Sequence, residues 1–179
     1  QVWRELQERK PRCTVMSPPC GPFSALQELT SGPWSSERRQ RLRDAIAILR
    51  FCMRVAEHQV KRGAYFLFER PLTAKSWRLK EVQDVWTMPG VRRVTGHLCM
   101  LGKKSAEGVP LRKATGWLSN LEGVEQILGV KCDGSHQHVT IQGTGPDGQK
   151  RSTAAAVYSS GTVRAIVKLV LRQRLLDER

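Results

Sequence analysis

The chain has 179 residues, of which 40% are hydrophobic and 26% are charged, and this composition excludes an intrinsically disordered chain. Thirty Lys and Arg residues against 16 Asp and Glu give a net charge of +14, which favours a polyanion such as nucleic acid as partner, with ribosomal, chromatin or membrane-surface roles as alternatives. No apolar run approaches the roughly 18 residues of a membrane span, and five widely spaced cysteines predict a reducing, intracellular compartment rather than a disulfide framework.

The first part of the chain predicts two strands on either side of a long helix. Arg12 to Met16 is short and apolar enough for a buried strand, and the prolines that follow end it. The helix begins at Ser35 or Ser36, since either side chain can cap its first turn, and it ends at Gly63. Ala64 to Phe68 is the second apolar strand.

A strand, a helix and a second strand in this order predict a βαβ unit, in which the two strands run parallel. The carboxyl ends of parallel strands meet at one edge of a sheet, where functional side chains gather. Cys20 follows the first strand and Glu69 follows the second. Although these two residues are far apart in the sequence, we expect them at the same edge.

The second half of the chain predicts shorter elements of both kinds. Its polar stretch 129–151 contains one thiol and two imidazoles and is interpreted as a small Cys/His-containing insertion. We therefore expect one α/β domain over residues 1–179, with further helices at 77–87, 122–128 and 162–176 and further strands at 91–94, 114–119 and 139–142.

The segment that follows the first strand carries the most specific motif in the chain. Ser17 to Ser24 is Ser-Pro-Pro-Cys-Gly-Pro-Phe-Ser, in which two prolines stiffen the loop and Gly21 lets the backbone approach a ligand. An activated cysteine on a rigid loop is suited to nucleophilic chemistry. The segment resembles the Pro-Pro-Cys-Gln-x-Phe-Ser signature of DNA cytosine-5 methyltransferases, with Gly21 in place of the Gln.

Weaker matches to the same family follow in order along the chain. Glu69-Arg70-Pro71 stands where the family has Glu-Asn-Val, a form similar to that of methyltransferase-like segments in retroelement polyproteins. Arg112 and Lys113 stand in the place of the family's Gln-x-Arg-x-Arg entry to a strand. Residues 158–163 resemble its closing Gly-Asn-Ala/Ser-Val motif.

This resemblance implies both a reaction and a fold. Cys20 would attack C6 of a flipped cytosine, Glu69 would hold N3 and the exocyclic amine, and Arg112 would steady the target nucleotide. The fold implied is a partial Rossmann-like sheet of the methyltransferase type, mostly parallel and flanked by helices.

The resemblance also implies S-adenosylmethionine as cofactor, with Pro18, Pro19 and Ser160 among the residues that bind it. The family holds this cofactor through a Gly-rich strand-turn-helix motif that precedes the Pro-Pro-Cys block. Only sixteen residues precede Ser17, and they contain no such turn. We therefore expect an N-terminal segment outside this sequence, or a second chain, to complete the cofactor site.

A second cluster of reactive side chains lies in the insertion. Cys132, His136 and His138 fall within seven residues, and His97 and Cys99 form another close pair. Thiolates and imidazoles bind Zn²⁺ tetrahedrally in sets of four, so Cys99, Cys132, His136 and His138 are a candidate zinc site. The alternative is a polar loop whose histidines face water or phosphate.

Basic and aromatic side chains are expected to contact nucleic acid, with DNA the favoured form, and no membrane partner is expected. Three hypotheses stay open: a methyltransferase, a non-catalytic nucleic-acid-binding domain, and a zinc-stabilised interaction module. The residues assigned to nucleic-acid contacts are Ser24, Trp34, Arg38, Arg39, Lys103, Lys104 and Lys113.

Overall fold

The computed structural model describes residues 1–23 and 33–179. These residues form two compact units, the first comprising Gln1–Arg93 and Leu118–Asn120 and the second comprising Val94–Trp117 and Leu121–Arg179. The helices are α1 (Val2–Arg9), α2 (Ser36–Lys61), α3 (Lys80–Trp86), α4 (Val124–Leu128), α5 (Arg151–Ala156) and α6 (Ser160–Asp177). The strands are β1 (Cys13–Met16), β2 (Tyr65–Pro71), β3 (Arg92–His97), β4 (Leu111–Arg112), β5 (Ala114–Ser119) and β6 (Val139–Thr140).

The fold is mixed α/β, with a four-stranded sheet in the order β1-β2-β5-β3. β1 and β2 are parallel, with Cys13 opposite Tyr65 and Met16 opposite Phe68, so the predicted parallel pair is confirmed. The sheet as a whole combines parallel and antiparallel pairs, so the expectation of a mostly parallel sheet is corrected to a mixed one. β4 and β6 form a separate parallel pair.

In the first unit, α2 covers the β1-β2 pair because its apolar residues recur at helical spacing. The side-chain oxygen of Ser35 accepts a hydrogen bond from the backbone N–H of Arg38 (3.2 Å), which caps the helix where the sequence predicted. Leu49 and Ala56 on its inner face are fully buried. They belong to a core that also contains Phe66, Phe68, Trp77, Val82, Val85 and Leu118.

The helix expected at 77–87 is divided in two. A 3₁₀ turn spans Lys75–Arg78, Leu79 is extended, and α3 then begins at Lys80. The break coincides with local side-chain bonds, since the indole N–H of Trp77 donates to the carbonyl of Pro71 (2.9 Å) and the side-chain amide of Gln83 donates to the carbonyl of Trp77 (2.6 Å). These bonds stabilise the bend that ends the first turn.

In the second unit, the helix predicted at 162–176 is found as α6, which begins two residues earlier because the hydroxyl of Ser159 accepts from the N–H of Thr162 (3.1 Å). The short helix α5 begins at Arg151, the last residue of the predicted polar stretch 129–151, and its other residues carried no prediction. By length and hydropathy alone, Arg151–Asp177 meets the criteria for a membrane span, although the sequence analysis expected no apolar run of that length. Core helices of soluble proteins meet the same criteria. The expected absence of a membrane partner stays a prediction.

Candidate active site and candidate metal centre

The loop that contains Cys20 and the end of β2 lie together in the first unit. Because β1 and β2 pair in parallel up to Met16 and Phe68, the residues that follow them leave the same edge of the sheet. The hydroxyl of Ser17 donates to Oε2 of Glu69 (2.8 Å) across this edge. Cys20, which is half-buried, then opens a 3₁₀ turn whose Phe23 N–H donates to the Cys20 carbonyl (3.0 Å).

Arg70 is the residue that holds this loop, and it is fully buried. Its Nη1 donates to the carbonyls of Pro18 (2.9 Å) and Pro19 (2.8 Å), and its Nε donates to the hydroxyl of Ser76 (3.1 Å). Its guanidinium also lies over the ring of Phe23, 4.7 Å from the centroid. The two backbone carbonyls before Cys20 are therefore fixed by one buried cation.

The charge of Arg70 also faces the reactive groups of the loop. Burial lowers the pKa of Arg70, and the nearby Cys20 and Glu69 partly offset that effect because their negative forms favour the cation. The sequence led to two interpretations of Arg70, a departure from the family's Asn and the partner of Glu69 in a surface ion pair, and its burial corrects the second. The available signal was a charged residue in β2 two positions after the apolar run Phe66-Leu67-Phe68, where a buried charge is tolerated only when it has a partner.

Two other thiols of the first unit are poor nucleophiles at neutral pH. Burial raises the pKa of Cys13 to about 11. Burial also raises the pKa of Cys52, which lies in the core under α2. A thiolate is the reactive form of cysteine, so both residues remain in the unreactive thiol form near pH 7. This leaves Cys20 as the thiol in the first unit that is placed for chemistry.

The predicted nucleic-acid residues of the first unit are found at the start of α2. The guanidinium of Arg38 lies over the ring of Trp34, 4.0 Å from its centroid, and Arg39 donates to the Trp34 carbonyl. These contacts hold the indole against the first turn of the helix. Ser24 lies outside the described residues.

The lysines predicted to bind nucleic acid have different environments. Lys103 is buried and its Nζ donates to the carbonyls of Ala154 and Val157, both at 2.6 Å. Lys113 is buried as well, and its Nζ donates to the carbonyl of Ala155 (3.2 Å). Their ammonium groups therefore engage the carboxyl end of α5, while Lys104 is exposed. A nucleic-acid role for the three lysines stays a prediction, and the contacts of Lys103 and Lys113 with α5 do not support it.

Two residues assigned through the family resemblance also lie in the second unit. Arg112 is exposed on β4, and its charge reaches His138. Ser160 is the exposed first residue of α6, and the cap of that helix is Ser159. Their proposed roles toward a nucleotide and a cofactor stay predictions.

The described residues do not fit S-adenosylmethionine. β1 leads into Pro18-Pro19 rather than into a glycine-rich turn, and β5 leads into α4 through the single glycine Gly123. The side chain of Arg172 lies against that glycine, 3.1 Å from the position of a Cβ.

The four predicted metal ligands lie together in the second unit. The ligand atoms of Cys99, Cys132, His136 and His138 all lie within 4.8 Å of one another. Sγ of Cys132 is 3.6 Å from Nε2 of His136 and 3.5 Å from Nε2 of His138. All four side chains are half-buried, so the cluster could hold a metal ion.

Local hydrogen bonds orient this cluster. Cys99 lies in a 3₁₀ turn directly after β3, and the other three ligands lie between α4 and β6. The N–H of Gly134 donates to Sγ of Cys132 (3.3 Å), which orients this side chain. The N–H of Cys132 donates to Nδ1 of His97 (3.0 Å), so His97 holds the loop. This supporting bond explains why His97 lies beside the cluster without belonging to it.

The electrostatics of the cluster also favour a cation. Desolvation, together with the charges of His136, Arg112 and His97, lowers the pKa of His138 and keeps its imidazole neutral. Desolvation and the proximity of Cys132 raise the pKa of Cys99, because two thiolates so close together repel each other. A bound cation relieves that repulsion.

Comparison with known proteins adds no relative. No family model matches the chain, and no curated protein matches it. The resemblance to cytosine-5 methyltransferases therefore depends on the motif residues themselves.

Proposed function

We propose that this chain is a partial Rossmann-like domain of the DNA cytosine-5 methyltransferase type, in which Cys20 adds covalently to cytosine in DNA. The observation that carries the proposal is the arrangement around Arg70. This buried side chain bonds the carbonyls of Pro18 and Pro19, while Ser17 bonds Glu69, so a cysteine loop and a carboxylate are fixed at one edge of a parallel pair. The net charge of +14 is suited to a DNA partner.

The proposed reaction is nucleophilic addition to the pyrimidine ring. The Cys20 thiolate forms a bond to C6, and the electron pair of the C5–C6 double bond moves toward N3. The carboxyl group of Glu69 donates a proton to N3, which leaves a neutral enamine with electron density at C5. The residues described here provide the addition and its reversal.

The test uses an oligonucleotide in which pyrimidin-2-one replaces one cytosine, because this ring is more electrophilic at C6 and its adduct needs no methyl donor. We expect an adduct that survives denaturing electrophoresis and that peptide mass analysis locates at Cys20. Cys20→Ala should form none, whereas Cys13→Ala, which removes a thiol of raised pKa, should form as much as the wild type.

Equal adduct yield from Cys20→Ala, or an adduct at another cysteine, would contradict the proposal. Salt-sensitive DNA binding without any adduct would instead support the non-catalytic nucleic-acid-binding domain. The adduct is compared at matched protein stability, so that loss of folding in a variant is not mistaken for loss of chemistry.

We propose separately that the ion held by the Cys/His cluster is zinc. Zn–S bonds of about 2.3 Å and Zn–N bonds of about 2.0–2.1 Å at the tetrahedral angle separate sulfur and nitrogen by about 3.6 Å. The two separations from Cys132 Sγ to the imidazoles are 3.6 Å and 3.5 Å. Two thiolates and two imidazoles complete the four positions of a structural site, which leaves no position for a substrate.

Metal analysis of the purified protein tests this assignment. We expect about one zinc per chain, consistent with a site of four protein ligands. Cys132→Ser should lose the zinc, and Cys20→Ala, which removes a thiol outside the cluster, should retain it. Absence of zinc from the wild type after reconstitution, or its retention by Cys132→Ser at wild-type affinity, would rule the site out.

A further inference from the structure

We infer that the solvent-facing side of α2 binds single-stranded DNA, an inference that rests on the proposed function because it takes DNA as the partner. Basic residues recur along this helix at alternating intervals of four and seven positions: Arg39, Arg43, Arg50, Arg54 and Lys61. Because an α-helix has 3.6 residues per turn, this spacing places all of them on one face. That face lies opposite the buried positions Ala45, Leu49 and Ala56.

The middle of this face is a groove rather than a flat row of charges. The groove is lined by Arg43, Ile46, Ala47, Arg50, Phe51 and Arg54. Ile46 and Phe51 are only half-buried, so they give the groove an apolar floor between the three guanidinium groups. A surface of this kind provides cations for phosphates and an apolar bed for base or sugar faces.

An aromatic side chain of α1 extends the groove at one end. The Trp3 ring meets Phe51 edge-on with 6.3 Å between centroids, and it lies 5.2 Å from the His58 ring. The guanidinium of Arg54 lies over Trp3, 5.3 Å from its centroid. Bases stack on such rings whatever their sequence, so this end of the groove favours an unpaired strand.

The charges that face this surface leave it strongly positive. Arg50 pairs with Glu81 of α3 (2.6 Å) and Lys61 pairs with Glu57 (2.6 Å). Both pairs are exposed, so they contribute little and can exchange a carboxylate for a phosphate. Within residues 1–23 and 33–179, no ion pair involves Arg43 or Arg54. Arg43 instead bonds the neutral side chain of Gln40 (3.1 Å).

The apolar floor decides between a single strand and a duplex. A duplex presents mainly phosphates to a helix that lies against it and keeps its base faces stacked inside. It would neutralise the arginines but leave Ile46, Phe51 and Trp3 without a partner. A single strand covers both kinds of side chain, and counterion release then makes its binding fall with salt.

The test measures the binding of a fluorescein-labelled, mixed-sequence 20-nucleotide single-stranded DNA by anisotropy between 50 and 200 mM salt. The triple variant Arg43→Gln, Arg50→Gln, Arg54→Gln removes the groove cations. Each neutralised phosphate contributes about 0.7 to the slope of log K against log salt, so the slope should become shallower by about 2. The affinity lost across this salt range should accordingly be roughly 16-fold smaller than in the wild type.

The matched control is Arg9→Gln, Arg41→Gln, Arg174→Gln, which removes the same charge from exposed arginines that pair with a carboxylate four residues away. This control should keep the wild-type slope. Ile46→Ser should weaken binding without changing the slope, because it alters the floor and no charge. Adduct formation at Cys20 is scored separately, so the reaction and the groove can fail independently.

Three outcomes would overturn the inference. The first is a slope in the groove variant that equals that of the wild type or of the control. The second is tighter binding of a duplex or of single-stranded RNA at the same salt concentration. The third is displacement of the labelled DNA by polyglutamate at the same concentration of negative charges as unlabelled DNA. That result would indicate a surface that binds any polyanion.

Discussion

At the scale of single residues, Arg70 is the side chain on which the proposed active site depends most. It bonds two carbonyls of the Cys20 loop and the hydroxyl of Ser76 from a fully buried position. Arg70→Met removes these bonds and also a buried charge whose desolvation opposed folding. Because hydrogen bonds to charged groups contribute about 1.5–3 kcal/mol each, we expect their loss to dominate and to lower the free energy of unfolding by about 2 kcal/mol.

Urea unfolding measures this loss, and two further variants interpret it. Arg70→Lys keeps the charge but cannot form the same set of bonds, so its stability should be intermediate. Arg78→Met changes an exposed neighbour and should remain within about 0.5 kcal/mol of the wild type. If Arg70→Met were as stable as Arg78→Met, the guanidinium would not be what holds the loop.

At the scale of elements, α5 exists because two lysines hold its carboxyl end. The carbonyls of Ala154, Ala155 and Val157 accept bonds from Lys103 and Lys113, in the position where a cation favours the helix dipole. Lys103→Met should therefore increase amide hydrogen exchange in 151–157 about tenfold, which corresponds to about 1.4 kcal/mol. Lys104→Met, a change at the exposed neighbour, should leave it unaltered; an unchanged rate in Lys103→Met would contradict the assignment.

The contact between β3 and the end of α4 depends on the absence of a side chain at Gly96. A Cβ at this position would lie 1.9 Å from the carbonyl oxygen of Leu128, so the backbone of one of the two elements must move. Gly96→Ala should lower the free energy of unfolding by about 2–3 kcal/mol, measured by urea denaturation. Gly21→Ala is the control, since nothing lies within 4 Å of its Cβ, and equal stability of both variants would contradict this packing.

Some elements could be predicted from the sequence because local signals and burial agree. The cap at Ser35 and the spacing of apolar residues define α2, and the β5 prediction of 114–119 is confirmed residue for residue. α5 and the break before α3 could not be predicted, because lysines distant in sequence stabilise the first and the Trp77 bonds stabilise the second. The metal ligands could be predicted from their residue types. The contacts of Arg70 could not, because they are made with the loop after β1, which lies beside Arg70 only once β1 and β2 have paired.

At the scale of the whole molecule, the metal cluster belongs to one of the two compact units. All of its ligands lie in the unit formed by Val94–Trp117 and Leu121–Arg179. Cys99 follows β3 and the other ligands follow α4, so a bound ion closes a long loop and contributes its binding energy to the folding of that unit. Neither α2 nor β2 supplies a ligand.

Chelation should therefore destabilise the two units unequally. After removal of the metal with a strong chelator, we expect amide hydrogen exchange to rise in 97–103 and 128–140, while α2 and β2 keep their protection. Cys99→Ser should reproduce this pattern without chelator, because a site of three ligands holds zinc less tightly, and added zinc should restore the chelated wild type. An equal rise of exchange in both units would instead mean that the metal stabilises the chain as one cooperative body. In that case the amides of both units exchange through global unfolding, and their rates report its free energy.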